Sequence, residues 1–234
     1  LDFPDNRPNE TAPWKLVSPR IDTSLAGCIK LHPSTLPDVK EKIAQYKLTV
    51  AIYTDASKIE EKTAIGVYCQ KLKIETALRT PDNLSIYTAE LTAIEKALEI
   101  FLQVHTTNTG TDQVTIFTDS LSSVTALSRR NKIHLNTHAT KVLEHVTECH
   151  KRGVACTVVW VPSHVGIPGN EKADRLAASA IGAPNVQLKT HMEMADIKTF
   201  IKNESLRQWQ ELWSQGLDSQ FYKTVNPAVA NKIP

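Results

Sequence analysis

Apolar side chains recur with two different periods in this sequence. Short β-branched stretches, alternating or wholly apolar, predict strands at residues 48–57, 63–70, 73–80, 114–120 and 155–161. Tight connections join the first three strands, which favours antiparallel neighbours. Apolar residues at helical spacing predict helices at 88–104, 120–130, 136–151, 171–181 and 195–215. Residues 47–182 therefore have the order β-β-β-α-β-α-α-β-α, which predicts a mixed sheet covered by helices.

The two ends of the chain differ from this middle part. Residues 1–46 are rich in proline, which excludes long helices there and predicts an extended linker with a short helix near 36–45. Residues 183–234 form a C-terminal extension whose helix carries Trp209 and Trp213 on one face. We expect these rings to pack back on the core; the alternative is a contact with another part of a longer parent protein.

Composition narrows the class of protein only moderately. Hydrophobic residues make up 41% and charged residues 22%, as in ordinary soluble proteins with a core. The net charge of +2 does not by itself indicate nucleic acid. No apolar run is long enough to span a bilayer and no signal-peptide pattern begins the chain, so we expect cytoplasm, nucleus or both. The four cysteines lack zinc-site spacing and are expected to be reduced thiols. The start at Leu1 suggests a piece of a longer protein.

Four acidic residues fall at matching places in the predicted topology. Asp55 ends the first strand and Asp119 the fourth; Glu90 begins the first long helix, for which Thr88 is a candidate cap, and Asp174 lies in the first turn of the last core helix. Sites in open α/β sheets collect at such positions. Converging carboxylates repel one another unless cations neutralise them, and oxygen ligands suit Mg²⁺ or Mn²⁺. Two such ions can activate a water for phosphodiester hydrolysis.

A histidine precedes the last of these acids in a loop that contains glycine and proline. His164 could move protons or assist product departure there. Each residue alone also has a structural explanation: Asp55 could begin a turn, Glu90 could complement the helix dipole, and Asp119 could be an N-cap beside Ser120. The joint arrangement of four acids and one histidine is what indicates a site.

Four motifs carry a resemblance to a known family. YTDAS (53–57), TAELTAI (88–94), FTDS (117–120) and SHVGIPGNEKAD (163–174), in this order, resemble the ribonuclease H domain. The last motif is most similar to the ribonuclease H domains of non-LTR (LINE-type) retrotransposon reverse transcriptase polyproteins. The resemblance covers about residues 48–180. It implies an α/β ribonuclease H-like fold, with a five-stranded mixed sheet of three antiparallel and then parallel strands, flanked by helices.

The resemblance also implies an activity and roles. The family cleaves the RNA strand of RNA–DNA hybrids endonucleolytically and leaves 5′-phosphate ends, using two Mg²⁺ ions that Mn²⁺ can replace. Asp55 would bridge both ions, Glu90 and Asp119 would complete one metal shell, Asp174 would hold the ion that activates water, and His164 would assist. Glu90 would also touch a ribose 2′-hydroxyl. The expected partners are the hybrid and the reverse transcriptase portion of the same polyprotein.

The sequence departs from the family in its expected substrate contacts. Ala56 replaces the usual glycine where the backbone approaches RNA, with Ser57 beside it. The basic helix of cellular bacterial enzymes is missing; Arg129 and Arg130 are the candidate substrate contacts in that connection, although a solvated loop explains them as well. We therefore expect weak, salt-sensitive binding by the isolated domain. A catalytically silent ribonuclease H-like module stays an alternative, and a DNA-directed relative such as an integrase is disfavoured because such proteins lack the last motif.

Overall fold

The computed structural model describes residues 12, 15–28, 36–105, 112–129 and 136–215. In this part of the chain one mixed sheet has the strand order β1-β6-β5-β2-β3-β4. The strands are β1 (Arg20–Asp22), β2 (Val50–Ile59), β3 (Lys62–Cys69), β4 (Ile74–Arg79), β5 (Gln113–Thr118) and β6 (Ala155–Trp160). The pairs β2–β3 and β3–β4 are antiparallel, whereas β2–β5, β5–β6 and β6–β1 are parallel. The predicted mixed sheet is confirmed.

Helices connect and cover these strands. They are α1 (Leu36–Ala44), α2 (Ile86–Val104), α3 (Leu121–Ser128), α4 (Thr137–Lys151), α5 (Pro168–Ile181) and α6 (Met194–Gln215), with a 3₁₀ turn at Ser24–Cys28. From Val50 to Ile181 the order β-β-β-α-β-α-α-β-α is the predicted one. The chain divides into two compact units between His191 and Met192, and α6 belongs to the second. In the described ranges, no helix has the length and apolar character needed to cross a membrane.

The two faces of the sheet are covered by different helices. On one face Ala89 of α2 packs in a cluster with Ala56 of β2. On the other face α5 lies so close to Gly66 of β3 that a Cβ there would come within 2.1 Å of the Ala173 carbonyl oxygen. Asp55 is the cross-strand partner of Gly66, and side chains alternate along a strand. Asp55 therefore faces α5, whereas its neighbour Ala56 faces α2.

The main core lies where α2 and α4 meet the central strands. It contains fully buried aliphatic and aromatic side chains, among them Ile52, Leu98, Phe101, Ile116 and Val158. Each such side chain stabilises the fold by about 1.5–3 kcal/mol relative to an exposed one. Three of the four cysteines, Cys69, Cys149 and Cys156, are also buried and have free thiols, as expected. This core holds the central strands rigidly under the acidic residues.

The prediction of five strands was wrong, because the sheet has a sixth, β1, inside the proline-rich stretch. β1 pairs in parallel with β6, and Asp22 at its end accepts hydrogen bonds from the Tyr46 hydroxyl (2.5 Å) and from the Lys42 ammonium group (2.6 Å). Leu16 is buried nearby, with 1% of its surface exposed. Three residues are too few to show a strand period, so the sequence pattern had no means to reveal β1.

Two predicted helix starts also need correction. Ser85, not Thr88, caps α2: its hydroxyl oxygen accepts a hydrogen bond from the Thr88 backbone N–H at 3.1 Å. The helix α5 begins at Pro168, three residues before the predicted start at Glu171, because proline has the φ angle of a first helical residue and needs no hydrogen-bond donor there. Asp174 consequently lies in the second turn of α5 rather than in the first.

Candidate active site

Asp55 and Asp119 are brought together by the register of two parallel strands. The last paired residues of β2 and β5 are Thr54 and Thr118, so the two aspartates follow side by side. The prediction that Asp55 ends its strand was wrong, because β2 continues to Ile59 beside β3. Asp55 lies at the point where the neighbouring strand β5 stops. Ser120 caps α3 through its side chain, which leaves the Asp119 carboxylate for the site. The explanation of Asp119 as an N-cap is therefore excluded.

Glu90 of α2 completes this cluster. One carboxylate oxygen from each of Asp55, Glu90 and Asp119 lies within 4.8 Å of the others. Glu90 is only 7% exposed, and within the described part of the chain its Oε2 has no hydrogen-bond partner. An unpartnered buried carboxylate oxygen is costly unless a cation binds it. The all-oxygen donor set and this unsatisfied atom fit a hard divalent cation such as Mg²⁺ or Mn²⁺.

Burial and mutual repulsion raise the proton affinity of the cluster. The pKa of Asp55 is raised by burial, then by the charges of Asp119 and Asp174. The pKa of Glu90 is raised well above its usual range by burial and then by Asp55 and Asp119. Burial also raises the pKa of Asp119, although a hydrogen bond from Asn170 opposes the shift. The negative charges are thus held together unfavourably, which is the condition that bound cations relieve.

The loop before α5 and the helix itself supply the other predicted residues. His164, Glu171 and Asp174 each place one ligand atom within 4.8 Å of the others. His164 is exposed and has a left-handed backbone with a φ of 53°; Gly166, also left-handed at 78°, donates its N–H to the Glu171 carboxylate at 3.3 Å. Since the charge of Asp174 raises the pKa of Asp55, this second group adjoins the buried cluster.

Asn170 and Trp160 support Asp119 in ways that the sequence did not reveal. Asn170 is 3% exposed, and its Nδ2 donates a hydrogen bond to Asp119 Oδ2 at 3.2 Å. Trp160 donates its indole N–H to the Asp119 carbonyl oxygen at 2.9 Å. Asn170 stands inside the last sequence motif, which was the available signal, whereas nothing in the pattern distinguished Trp160 from an ordinary core residue. Both contacts fix the segment that follows β5.

The predicted substrate-binding residues lie in three different settings. The Ala56 side chain is buried on the α2 face, and its backbone N–H opposes the rise in the pKa of Asp55 and Glu90. Ser57 is half-buried and pairs with Ala64 across the hairpin. Arg129 is exposed at the end of α3, and Arg130 lies outside the described residues. The structure thus assembles the four acids and His164, while the substrate contacts stay predictions.

Comparison with known proteins assigns the family. The RNase H family model matches residues 47–182, more than half of the chain, and the chain belongs to the RNase H family. A crystal structure of LC11-RNase H1 in complex with an RNA/DNA hybrid is similar, with 22% identity, a TM-score of 0.47 and coverage of 57% of this chain and 96% of that chain. RNase H1 from the halophilic archaeon Halobacterium salinarum NRC-1 has 19% identity, a TM-score of 0.40 and coverage of 56% and 96%. A comparison with curated proteins finds no match.

Proposed function

We propose that this domain is a metal-dependent endonuclease that hydrolyses the RNA strand of RNA–DNA hybrids. The observation that carries the proposal is the buried convergence of Asp55, Glu90 and Asp119, with one oxygen of Glu90 unpartnered. Asp174 adjoins them through Asp55. Membership of the RNase H family supplies the reaction class, since the family match over residues 47–182 includes all four acids. The arrangement is otherwise hard to explain, because buried carboxylates without cations lower the stability of the fold.

The four acids would hold the divalent cations, Mg²⁺ or Mn²⁺. Two bound cations would supply an activated water and would neutralise charge at the phosphate and the leaving oxygen. The protein's own contribution is to keep the ligands preorganised: Asn170 and Trp160 restrain Asp119 through one hydrogen bond each. Such supporting contacts typically change metal affinity or activity by 10–100-fold when they are removed.

His164 contributes the remaining chemistry. Its exposed imidazole lies beside Asp174 and Glu171, on a loop that two left-handed residues turn towards α5. A nitrogen of this ring can hand a proton to the leaving oxygen and help the product leave. We assign His164 this auxiliary role, so a variant that lacks the imidazole is expected to retain some activity.

The substrate and context rest on the sequence motifs. The form of residues 163–174 supports a hybrid substrate and a role in retrotransposon reverse transcription, with the polymerase portion of the same polyprotein as partner. A catalytically silent module is the alternative. The presence of all four acids in two adjoining groups, together with His164, argues against it, because a module that only binds has no need for buried like charges.

Cleavage of labelled RNA–DNA hybrid at low salt, with Mg²⁺ or Mn²⁺, tests the proposal. Duplex DNA and duplex RNA run beside it, and Asp119→Asn is the inactive variant. Asp112→Asn is a matched control, since Asp112 is exposed at the opposite end of β5. We expect RNA cleavage of the hybrid alone, retained in Asp112→Asn and lost in Asp119→Asn. Hybrid binding without cleavage in every variant would favour the silent module.

A further inference from the structure

A cavity of about 570 Å³ lies beside the carboxylates and has no part in the chemistry described so far. Its lining includes Lys47, Ala51, Tyr53, Tyr68, Lys71 and Gly169. Its volume is within the range of about 300–1,000 Å³ that small-molecule sites occupy. All of these residues belong to the first compact unit, together with the active site.

The register of β2 and β3 explains why the cavity exists. Tyr53 pairs with Tyr68 directly opposite, and the next pair on the same face is Asp55 with Gly66. The helix α5 packs on Gly66 and begins at Pro168, and its first turn rests on the Tyr53 ring through Gly169, so the cavity lies at the start of α5, where Pro168 and Gly169 form part of its lining. Tyr53 and Asp55 are two positions apart along β2, which places their Cα atoms about 7 Å from each other. The cavity is therefore the immediate neighbour of the acidic cluster.

The lining presents hydrogen-bond donors and positive charge. Lys47 and Lys71 are exposed, and neither has an ion-pair partner among the described residues. Within the same ranges the Tyr53 and Tyr68 hydroxyls make no hydrogen bond, and none of the described lining residues is acidic. Glu75, the residue of β4 opposite Tyr68, is paired with Lys172 of α5 at 2.9 Å. A cavity with charge of one sign favours an anionic ligand.

We propose that this cavity binds one nucleotide of a nucleic-acid strand that extends from the catalytic carboxylates. Lys47 and Lys71 would each contact one of the two phosphates that flank this nucleotide, as point charges, and the Tyr68 ring would offer a face for the base. Tyr53 serves as the floor, because its ring already stacks on Phe117 at 4.8 Å and lies against Gly169. The inference rests on the proposed function, since the carboxylates are what hold the strand in place. A free nucleotide has the same chemistry, so the test separates the two sources.

The first arm of the test measures hybrid binding against salt concentration. All proteins carry Asp119→Asn so that the substrate stays intact, and the probe is a labelled hybrid with a short single-stranded RNA extension in Mg²⁺. We expect Lys71→Gln to reduce the slope of log affinity against log salt by about one, and Lys47→Gln/Lys71→Gln by about two. Lys151→Gln is the matched control: this exposed lysine ends α4, whose partner α2 lies on the other face of the sheet. Its slope should not change.

The second arm titrates AMP by calorimetry into the otherwise unmodified protein and into Lys71→Gln. If the lysine variants show a smaller dependence of hybrid affinity on salt, the cavity binds the nucleic-acid strand. If the salt dependence is unchanged and AMP binds, with an affinity that Lys71→Gln weakens at least several-fold, the cavity binds a free nucleotide. That result would contradict the proposal that it binds the strand. If the salt dependence is unchanged and AMP does not bind, the cavity is not a nucleotide site of either kind. A protein that neither binds nor cleaves hybrid refutes the proposed function instead, and the AMP arm then decides the cavity alone.

Discussion

The buried carboxylate of Glu90 lowers the stability of the cation-free fold. Burial raises its pKa well above the usual range, and one of its oxygens has no partner in the described chain. Its charge is unfavourable until a cation is bound, because the surrounding helix and strands replace water without supplying a positive group. Sites of this kind exchange stability for function, since the same charge that weakens the empty fold gives the bound cation its affinity.

Replacing Glu90 with glutamine therefore should stabilise the cation-free protein. Because burial and the neighbouring carboxylates raise the pKa of Glu90 well above its usual range, its charge lowers stability at neutral pH, and we expect Glu90→Gln to raise the free energy of unfolding in EDTA at pH 7. Urea denaturation of the two proteins measures this difference in the free energy of unfolding. Glu99→Gln is the control on the same helix, because Glu99 is a surface residue paired with Lys96 and should change stability by less than about 0.5 kcal/mol. A destabilised Glu90→Gln would contradict this account.

The pH dependence of stability follows from Asp55. Burial and the charges of Asp119 and Asp174 raise its pKa to about 8, from an ordinary value of 3.8. The folded state therefore binds this proton more tightly than the unfolded state. Without cations, the contribution of Asp55 should increase the free energy of unfolding as the pH falls from 8 towards 4, and should be lost above pH 8.

Denaturation of the protein and of Asp55→Asn in EDTA, at several pH values between 4 and 9, isolates this contribution. The difference between the two proteins should shrink as the pH falls, because Asn mimics the protonated acid. Saturating Mg²⁺ should remove the advantage of Asn at neutral pH, since the cation then favours the charged carboxylate. A pH-independent difference would mean that Asp55 is not the group that titrates.

The fit between β3 and α5 determines where Asp174 lies. A Cβ on Gly66 would stand 2.1 Å from the Ala173 carbonyl oxygen and 2.7 Å from the Ala177 nitrogen, both backbone atoms of α5. Backbone cannot rotate away, so Gly66→Ala has to displace the helix or the strand. We expect it to lower the free energy of unfolding by about 3 kcal/mol, the upper end of overpacking effects, and to reduce cleavage because Asp174 moves with the helix.

Gly182→Ala is a matched control for that substitution. Gly182 ends α5 with an ordinary right-handed backbone, and a Cβ there meets no atom within 4 Å. Thermal denaturation and hybrid cleavage of the two variants measure both effects. We expect Gly182→Ala to resemble the unmodified protein in both assays. Equal behaviour of the two variants would show that the close approach of α5 to β3 is not what positions Asp174.

The elements that the sequence predicted are those whose periodicity extends over several turns or pleats. The helix α2 and the strand β5 repeat their apolar positions often enough to be recognised, and their ends then place Glu90 and Asp119. Features that depend on the packing of distant segments were missed: the hydrogen bond of Asn170 to Asp119, the three-residue strand β1, and the cavity beside Tyr53. No local pattern records such packing.

The N-terminal stretch contributes to the fold although the family match begins only at residue 47. Val17 donates its backbone N–H to the Thr147 hydroxyl of α4 at 2.9 Å, and β1 extends the sheet beside β6. Burial alone raises the pKa of Asp22, but hydrogen bonds from Lys42 and Tyr46 outweigh it and hold the pKa well below its usual range. The boundaries predicted for the linker and for the C-terminal extension stay predictions, and α6, on which Trp209 is half-exposed, forms part of a separate unit.

If this stretch stabilises the domain, a single buried side chain in it should reveal the effect. Leu16 is 1% exposed within the main core cluster, whereas Leu48, just before β2, is 84% exposed. We expect Leu16→Ala to lower the free energy of unfolding by about 2–5 kcal/mol, because the cavity it leaves is lined by groups that other elements hold in place. Leu48→Ala, the same chemical change on the surface, should alter it by less than about 0.5 kcal/mol.

A chain that begins at residue 47 extends the same argument. It would lack β1 and the buried side chains of Leu16, Leu25 and Val39, each of which contributes about 1.5–3 kcal/mol through burial. That loss is comparable with the whole stability of an ordinary domain, so we expect the shortened chain to unfold at much lower urea concentration or to aggregate. Equal unfolding midpoints for the full and shortened chains, together with a neutral Leu16→Ala, would show that the family-matched segment folds by itself. The N-terminal residues would then be a linker after all.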